Sequence, residues 1–187
     1  VQLSIVIPTF NESDRIIGTL DNLKGYLESR DFVWEIILSD DGSLDDTVAL
    51  VESWSALNLN VQDETMRIIQ LSHRGKGSAV RHGMLQAVGD MRVMCDADLA
   101  MSAEQIDGFI SKFSEGYDIV IGSREKTGAR RFGEPVMRHV MGRIFNWYVS
   151  FIAVGGFQDT QCGYKCFSSD AAESLFRMQK LDGWSFD

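Results

Sequence analysis

Four short apolar runs, each followed by a polar cluster, constrain the fold of this 187-residue chain more than any other feature. The runs are rich in β-branched residues, and we interpret them as buried strands. Because they are apolar on both faces and alternate with helical segments, they predict a parallel sheet with helices packed on both sides. With their clusters they read LSIVIPTFNE, VWEIILSDDGS, MRIIQLSHRGKG and MRVMCDADLA.

Helical segments separate these strands. Asn11 is placed to cap the first helix, whose apolar positions begin at Ile16. Beyond residue 125 the alternation breaks, and a long amphipathic helix is expected from about Pro135; it fits either a core helix or a helix in a membrane interface. Further helices are predicted over 45–54, 77–88 and 103–113, with a fifth strand in DIVIGSR.

The polar clusters predict where a ligand binds. In open parallel sheets ligands bind at the carboxyl ends of the strands, so all four clusters should gather on one edge. The fourth strand ends in Asp96 and Asp98, with one small residue between them. Mg²⁺ or Mn²⁺ is typically held by one or two carboxylates together with substrate phosphates. The pattern therefore favours a metal diphosphate at this edge.

Several other site classes do not fit. SDDGSLDD lacks the spacing of a calcium-binding EF-hand loop. A P-loop needs a glycine five residues before Gly75, and Gln70 occupies that position. No G-x-G-x-x-G follows the first strand and no G-x-S-x-G occurs, which argues against a dinucleotide oxidoreductase and a serine hydrolase. A haloacid-dehalogenase-like phosphatase is disfavoured, because the aspartate pair is on the fourth strand and Ala100 follows it.

The charge of the chain limits the classes of partner that it can bind. The formal net charge of −9 argues against nucleic acid. The segment 124–143 nevertheless carries six Lys or Arg against two Glu, which suggests either an anionic ligand or membrane surface, or a solvated helix face. The three cysteines show no C-x-x-C spacing and are expected to be free thiols in a reducing compartment.

No uncharged apolar run is long enough to span a membrane. The sequence starts at Val1 and stops at Asp187, so we expect a fragment of a longer protein whose membrane segment, if any, lies outside it.

Six motifs in order carry a family resemblance: SIVIPTFNE, SDDGSLDDT, RGKGSAVRHGM, CDADLA, DTQCGYKCF and GWSFD. Together they resemble the family 2 inverting glycosyltransferases of the GT-A fold, and among them the dolichyl- or polyprenyl-phosphate glucosyltransferases, near the dolichyl-phosphate mannose synthases. The resemblance implies an α/β fold with a Rossmann-like, mostly parallel sheet and a C-terminal amphipathic helix region. It implies one catalytic domain, 1–187, with a nucleotide-sugar-binding half, 1–124, and an acceptor-binding half, 125–187.

The resemblance also assigns residues. Phe10 should stack on the nucleoside, Asp40 or Asp41 should bind uracil or ribose, and Asp98 with Asp96 should hold the metal. The nucleotide-sugar set is Pro8, Thr9, Phe10, Glu12, Asp40, Asp41, Lys76, Asp96, Ala97 and Asp98. The acceptor-phosphate set is Arg124, Arg130, Arg131, Asp159 and Gln161, and the catalytic set is Asp98, Arg124, Gln161 and Asp187.

The expected activity is Mg²⁺- or Mn²⁺-dependent transfer of a hexose to a polyprenyl phosphate with inversion, with UDP-glucose as the donor. One alternative is a sugar or polysaccharide hydroxyl as acceptor, with Asp187 or Asp159 as general base. Another is a nucleotide-sugar-binding module without catalysis. We expect the cytosolic side of a membrane, with the chain peripheral or anchored by a segment outside this sequence.

Overall fold

The computed structural model describes residues 2–59, 65–98, 102–123 and 162–186. Strands and helices alternate along the first three ranges, and one more strand and helix follow in the last. The strands are β1 Leu3–Thr9, β2 Trp34–Asp40, β3 Met66–Gln70, β4 Met91–Met94, β5 Ile119–Ile121 and β6 Lys165–Ser168. The helices are α1 Ile16–Glu28, α2 Thr47–Asn58, α3 Lys76–Gln86, α4 Ile106–Ser114 and α5 Ser169–Met178, with a short 3₁₀ turn, Ala103–Gln105, before α4.

The strands form one sheet in the order β3-β2-β1-β4-β6-β5. β1 pairs in parallel with β2 and β4, and β2 with β3, whereas β6 is antiparallel to both β4 and β5. Thr9 aligns with Asp40, and Asp40 with Gln70, so β1, β2 and β3 end at the same level. The predicted mostly parallel α/β sheet is confirmed, and its carboxyl ends share one edge.

The core lies on both faces of the sheet. Ile5, Ile7 and Leu38 belong to a buried cluster that includes residues of α1, α2 and α4. Val6 and Ile37, at alternate positions of the same strands, belong to a second cluster with residues of α3 and α5. Successive strand residues point to opposite faces, so a strand that is apolar throughout needs a helical layer on each side.

The structure differs from the sequence analysis at two of these elements. Asn11 does not cap α1: its φ is +56°, its side-chain oxygen accepts the Leu44 N–H at 2.8 Å, and the helix begins only at Ile16. β6 was not predicted, because its four residues are too short for a clear period and include a charged residue. That residue, Lys165, is buried, and it enters the sheet between β4 and β5.

The amphipathic helix expected from about Pro135 lies outside the described residues. Of the helices in the described ranges, none combines the length and the apolar character needed to span a bilayer.

A buried carboxylate joins β1, β2 and β3 to the end of α3. Glu35 accepts hydrogen bonds from the Ser4 hydroxyl at 2.5 Å, the Val88 N–H at 2.8 Å and the Arg67 guanidinium at 2.7 Å. Burial alone would raise the pKa of Glu35, but these three donors outweigh it and hold the pKa below its ordinary value. The ionised form is therefore the one that the folded chain stabilises.

We expect Glu35→Gln to lower the free energy of unfolding by about 2–4 kcal/mol at neutral pH, because the Arg67 charge loses its buried partner. A group whose pKa is depressed by folding stabilises the fold above its unfolded pKa. The difference from wild type should therefore shrink as the pH falls below 4.5, the ordinary value for Glu.

Urea unfolding at several pH values measures this difference. Glu28→Gln is the matched control, since Glu28 is an exposed glutamate that pairs with Lys24 on α1. A difference for Glu35→Gln that did not change with pH would contradict the role of its charge.

Candidate active site

Hydrogen bonds tie the loops after β1 and β2 together at the carboxyl edge. The Asn11 N–H donates to the Ser43 hydroxyl at 2.9 Å, and the Glu12 N–H donates to the Thr47 hydroxyl at 2.8 Å. The Asp41 N–H donates to the Thr9 carbonyl at 2.8 Å. Pro8 and Thr9 are themselves buried at the end of β1. Pro8 and Thr9 therefore pack inside the protein beneath the loops, and Phe10, which follows them, is exposed.

Both carboxylate oxygens of Asp40 are hydrogen-bonded within the protein. One carboxylate oxygen accepts the N–H groups of Gly42 and Ser43 at 3.1 and 2.9 Å. The other accepts the Ser43 hydroxyl at 2.5 Å and the Thr9 hydroxyl at 3.2 Å. The residue is 2% exposed. Three of these bonds hold the loop that follows β2, and the bond from Thr9 ties Asp40 to the end of β1.

Asp41 connects that loop to the next one. Its two oxygens accept the backbone N–H groups of Arg74 at 2.9 Å and Gly75 at 2.8 Å. The His73 ring nitrogen Nδ1 lies 2.8 Å from Asp41 Oδ2. Nδ1 is also 3.2 Å from the Asp41 carbonyl oxygen, with which it is hydrogen-bonded. The two amides belong to the β3–α3 loop, so the Asp41 carboxylate fixes the path of that loop toward α3.

Phe10 presents its ring to a neighbour that the sequence reasoning did not select. The rings of Phe10 and His73 are stacked, with centroids 4.2 Å apart and planes 22° from parallel. His73 belongs to the SHRGKG cluster, which was predicted to reach this edge, but nothing in the sequence pairs it with Phe10. The contact joins the loops after β1 and β3 across the end of β2.

Lys76, the first residue of α3, reaches the end of β4. Its ammonium lies 2.7 Å from Asp96 Oδ1 and 5.0 Å from the centroid of the Trp184 ring. Gly75 precedes it with φ +124°, and an added Cβ there would lie 2.6 Å from the Asp182 carbonyl oxygen. Glycine is required here both by the positive φ and by this close approach.

The start of α3 is covered by the segment 181–186. The Gly77 N–H donates to the Gly183 carbonyl at 3.2 Å, and the Ser78 N–H donates to the Asp182 carbonyl at 3.0 Å. The Gln179 side-chain amide adds a bond to the Gly77 carbonyl at 2.9 Å. These donors of the helix N-terminus are therefore already used. The positive charge in this region comes from side chains: Lys76 beside Asp96, and Arg74, whose guanidinium lies 3.3 Å from Asp182 Oδ2.

The aspartate pair stands at the exposed end of β4. Ala97, between the two aspartates, is buried, and its carbonyl accepts the Thr19 hydroxyl of α1 at 2.5 Å. This bond anchors the loop, and Asp98 is exposed to solvent. The Asp96 carboxylate packs directly on the Cα of Gly163, where an added Cβ would overlap it.

Negative charge accumulates around the pair. The pKa of Glu12 is raised, first by burial and then by the charges of Asp98 and Asp96, while the nearby Arg15 opposes the rise. Carboxylate oxygens in a field of this sign fit a hard divalent cation. Across the described ranges, no group of three or more His, Cys, Asp or Glu is arranged to hold a metal ion, so the expected site rests on the two aspartates.

The remaining predictions fall partly outside the described residues. Cys95, Cys162 and Cys166 are buried, and none of them forms a disulfide within the described residues. The predicted site residues outside the described ranges are Arg124, Arg130, Arg131, Asp159, Gln161 and Asp187.

Known proteins are similar to this chain in sequence. Residues 4–173 match the family described as Glycosyl transferase family 2. A dolichyl-phosphate beta-glucosyltransferase of Trichomonas vaginalis is 34% identical over 198 residues, covering 100% of this chain and 58% of that protein. The Homo sapiens protein of the same name is 31% identical over 199 residues, covering 100% of this chain and 60% of the relative. The chain thus spans about three fifths of the length of these curated relatives.

Solved structures share the fold. Glucosyl-3-phosphoglycerate synthase from Mycobacterium tuberculosis, in complex with Mn²⁺, uridine diphosphate and phosphoglyceric acid, matches with a TM-score of 0.71 and 18% identity, over 99% of this chain and 61% of that one. Mannosyl-3-phosphoglycerate synthase from Rubrobacter xylanophilus matches with a TM-score of 0.65 and 19% identity, over 91% and 54%. This likeness is one of fold, and it confirms the expected GT-A architecture.

We expect Gly163→Ala to lower the free energy of unfolding by about 1–3 kcal/mol, because its Cβ would displace the Asp96 carboxylate or the backbone beneath it. Gly108→Ala is the matched control: its Cβ meets no atom within 4 Å, and alanine in a helix stabilises by about 0.5–1 kcal/mol. Denaturant unfolding compares the two variants with wild type. Equal stability of the two variants would contradict the close packing of Asp96 on Gly163.

Proposed function

The chain belongs to glycosyltransferase family 2, and on that premise we propose that it transfers glucose from UDP-glucose to a dolichyl-type polyprenyl phosphate with inversion. The observation that carries the proposal is the identity of 31–34% to proteins named dolichyl-phosphate beta-glucosyltransferase, which extends over the whole chain. Those relatives are longer, and the activity of the whole protein is inferred from this part of it.

The donor would lie along the carboxyl edge of the sheet. Its base would approach Phe10 and Asp41 between the ends of β1 and β3, and its diphosphate would extend toward the end of β4. Lys76 and the aspartate pair are at that end, 2.7 Å apart at their nearest atoms. The structural relative with Mn²⁺ and uridine diphosphate shares this fold, which supports a metal-bound nucleotide as the ligand.

Asp98, with Asp96, would hold Mg²⁺ or Mn²⁺. When bound, this ion would neutralise charge on the departing diphosphate. Lys76 contributes a positive side chain beside Asp96, and the bond from Thr19 to the Ala97 carbonyl keeps the aspartate loop in place. Fixed charges of this kind accelerate a reaction because they need no reorganisation as the transition state forms.

The acceptor phosphate is already an anion near neutral pH, so the transfer needs no strong general base. One of its oxygens forms a bond to the anomeric carbon of glucose. The bond from that carbon to the diphosphate breaks on the opposite side, and the configuration inverts. The chain's main contribution is then to position the two substrates and to hold the reacting charges.

We assign acceptor binding to the second half of the chain, 125–187, together with Arg124 at the end of the first. The basic segment 124–143 suits a lipid phosphate and an anionic bilayer surface, since it carries six Lys or Arg in a chain of net charge −9. In this proposal Arg124, Arg130, Arg131, Asp159 and Gln161 contact the acceptor, Asp187 closes the sugar pocket, and the chain works at the cytosolic side of a membrane.

A transfer assay tests the proposal. The chain is incubated with UDP-glucose, UDP-N-acetylglucosamine or GDP-mannose and a short polyprenyl phosphate, with Mn²⁺ or with EDTA. Metal-dependent lipid-linked product from UDP-glucose alone is the expected result. Product from a sugar hydroxyl acceptor instead, or UDP binding without any transfer, would overturn the proposed acceptor or the proposed catalysis.

Asp98→Asn is expected to lower kcat/KM about 100-fold or more, on the order of 3 kcal/mol, because it removes charge from the metal site. The matched control is Asp170→Asn, an exposed aspartate in the first turn of α5. Mn²⁺-dependent glucosyl transfer is measured for both. Activity of Asp98→Asn near that of wild type would rule out its role in holding the metal.

Replacing Arg130 and Arg131 together by Glu is expected to weaken binding to phosphatidylserine-containing liposomes about tenfold or more, since each basic residue near an anionic bilayer contributes about 1 kcal/mol. Arg177→Glu with Lys180→Glu makes the same change of charge at exposed positions and serves as the control. Co-sedimentation measures the bound fraction. Equal loss of binding in both double variants would indicate a general charge effect and contradict the assignment.

A further inference from the structure

The His73 side chain makes three contacts at the edge of the sheet, although it is 60% exposed. Its ring stacks on Phe10 with centroids 4.2 Å apart, and its Nδ1 lies 2.8 Å from Asp41 Oδ2. The same Nδ1 lies 3.2 Å from the Asp41 carbonyl oxygen, which accepts its hydrogen bond. A carboxylate and a carbonyl can only accept, so Nδ1 carries the hydrogen. An aromatic face and a buried carboxylate are thus both engaged by one side chain that solvent can reach.

Two of these contacts, the stack on Phe10 and the approach to the Asp41 carboxylate, are ones that a uracil base would make in the same place. Uracil is a flat ring that stacks on an aromatic side chain, and its imide N–H is a donor that suits a carboxylate. The existing stack leaves no room for a second ring, because a base between Phe10 and His73 would need about twice the present separation. A base that uses this face of Phe10 must therefore displace His73.

The hydrogen bonds also distinguish between Asp40 and Asp41. Both Asp40 oxygens are already occupied, by Gly42 and Ser43 of the turn that follows β2 and by Thr9 at the end of β1. The Asp41 carboxylate accepts the N–H groups of Arg74 and Gly75, and its third neighbour is the His73 ring, 2.8 Å from Oδ2. The His73 contact is the one that a side-chain rotation can release without breaking the loop.

We propose that His73 is a built-in placeholder for the nucleobase: it occupies the Phe10 face and the Asp41 acceptor until the donor displaces it. Asp41, and not Asp40, then reads the base through its N–H. His73 sets the affinity for the nucleotide, because each binding event must first break its contacts with Phe10 and Asp41. This inference rests on the proposed function in that it takes a uracil nucleotide as the ligand.

Titration calorimetry with UDP and Mn²⁺, without acceptor, tests the placeholder. His73→Ala removes the competitor and should bind UDP about three- to tenfold more tightly than wild type, a gain typical of one exposed stacked ring with one hydrogen bond. His82→Ala is the matched control, since the His82 ring contacts the Ser78 carbonyl of its own helix, and its affinity should equal that of wild type. Equal or weaker binding by His73→Ala would overturn the inference.

UDP methylated at N3 of uracil tests the role of Asp41, because this analogue keeps the ring but has no N–H to donate. Wild type and His73→Ala should both bind it at least tenfold more weakly than UDP. Equal affinity for the two nucleotides would overturn the assignment of Asp41.

The two proposals fail separately. UDP binding with the expected His73 effect but no glucosyl transfer would overturn the proposed function alone. Transfer with weaker UDP binding by His73→Ala would overturn this inference alone.

Discussion

The buried carboxylate of Asp41 is the interaction on which the rest of the site depends. It accepts the backbone N–H groups of Arg74 and Gly75, and these bonds tie the end of β2 to the loop before α3. Burying a carboxylate is unfavourable unless donors replace its water, and backbone amides do so at fixed positions. Since Gly75 immediately precedes α3, the same anchor determines where Lys76 starts the helix and how its ammonium meets Asp96.

The N-terminus of α3 shows why the positive charge near Asp96 comes from a side chain and not from the helix backbone. Helix N-termini commonly bind phosphate through unpaired backbone N–H groups. Here the N–H groups of Gly77 and Ser78 are bound by carbonyls of the segment 181–186, which also brings the Trp184 ring to Lys76. A side chain between a carboxylate and an aromatic face can change partners when a ligand arrives, whereas a helix end cannot. The Lys76 ammonium can thus move to a new partner while the start of α3 stays fixed.

The sequence predicted what depends on local pattern, and it failed where distant segments meet. Four runs of buried β-branched residues were enough for the parallel sheet and its polar edge. β6 was missed because it is short and carries the buried Lys165. Asn11 resembles a helix cap, but its φ of +56° turns its side chain to the Leu44 N–H. The stack of Phe10 on His73 joins two loops distant in sequence, and no periodicity contains that information.

The charges at this edge explain why the proposed donor would arrive with a metal ion. Burial together with Asp98 and Asp96 raises the pKa of Glu12, so the place proposed for the diphosphate is already rich in carboxylates. A diphosphate alone would be repelled there, and Lys76 is largely engaged with Asp96. A divalent cation changes the balance, because it attracts the carboxylates and the diphosphate at once. On the proposed function, the acidic edge selects for the metal-bound nucleotide over the free one.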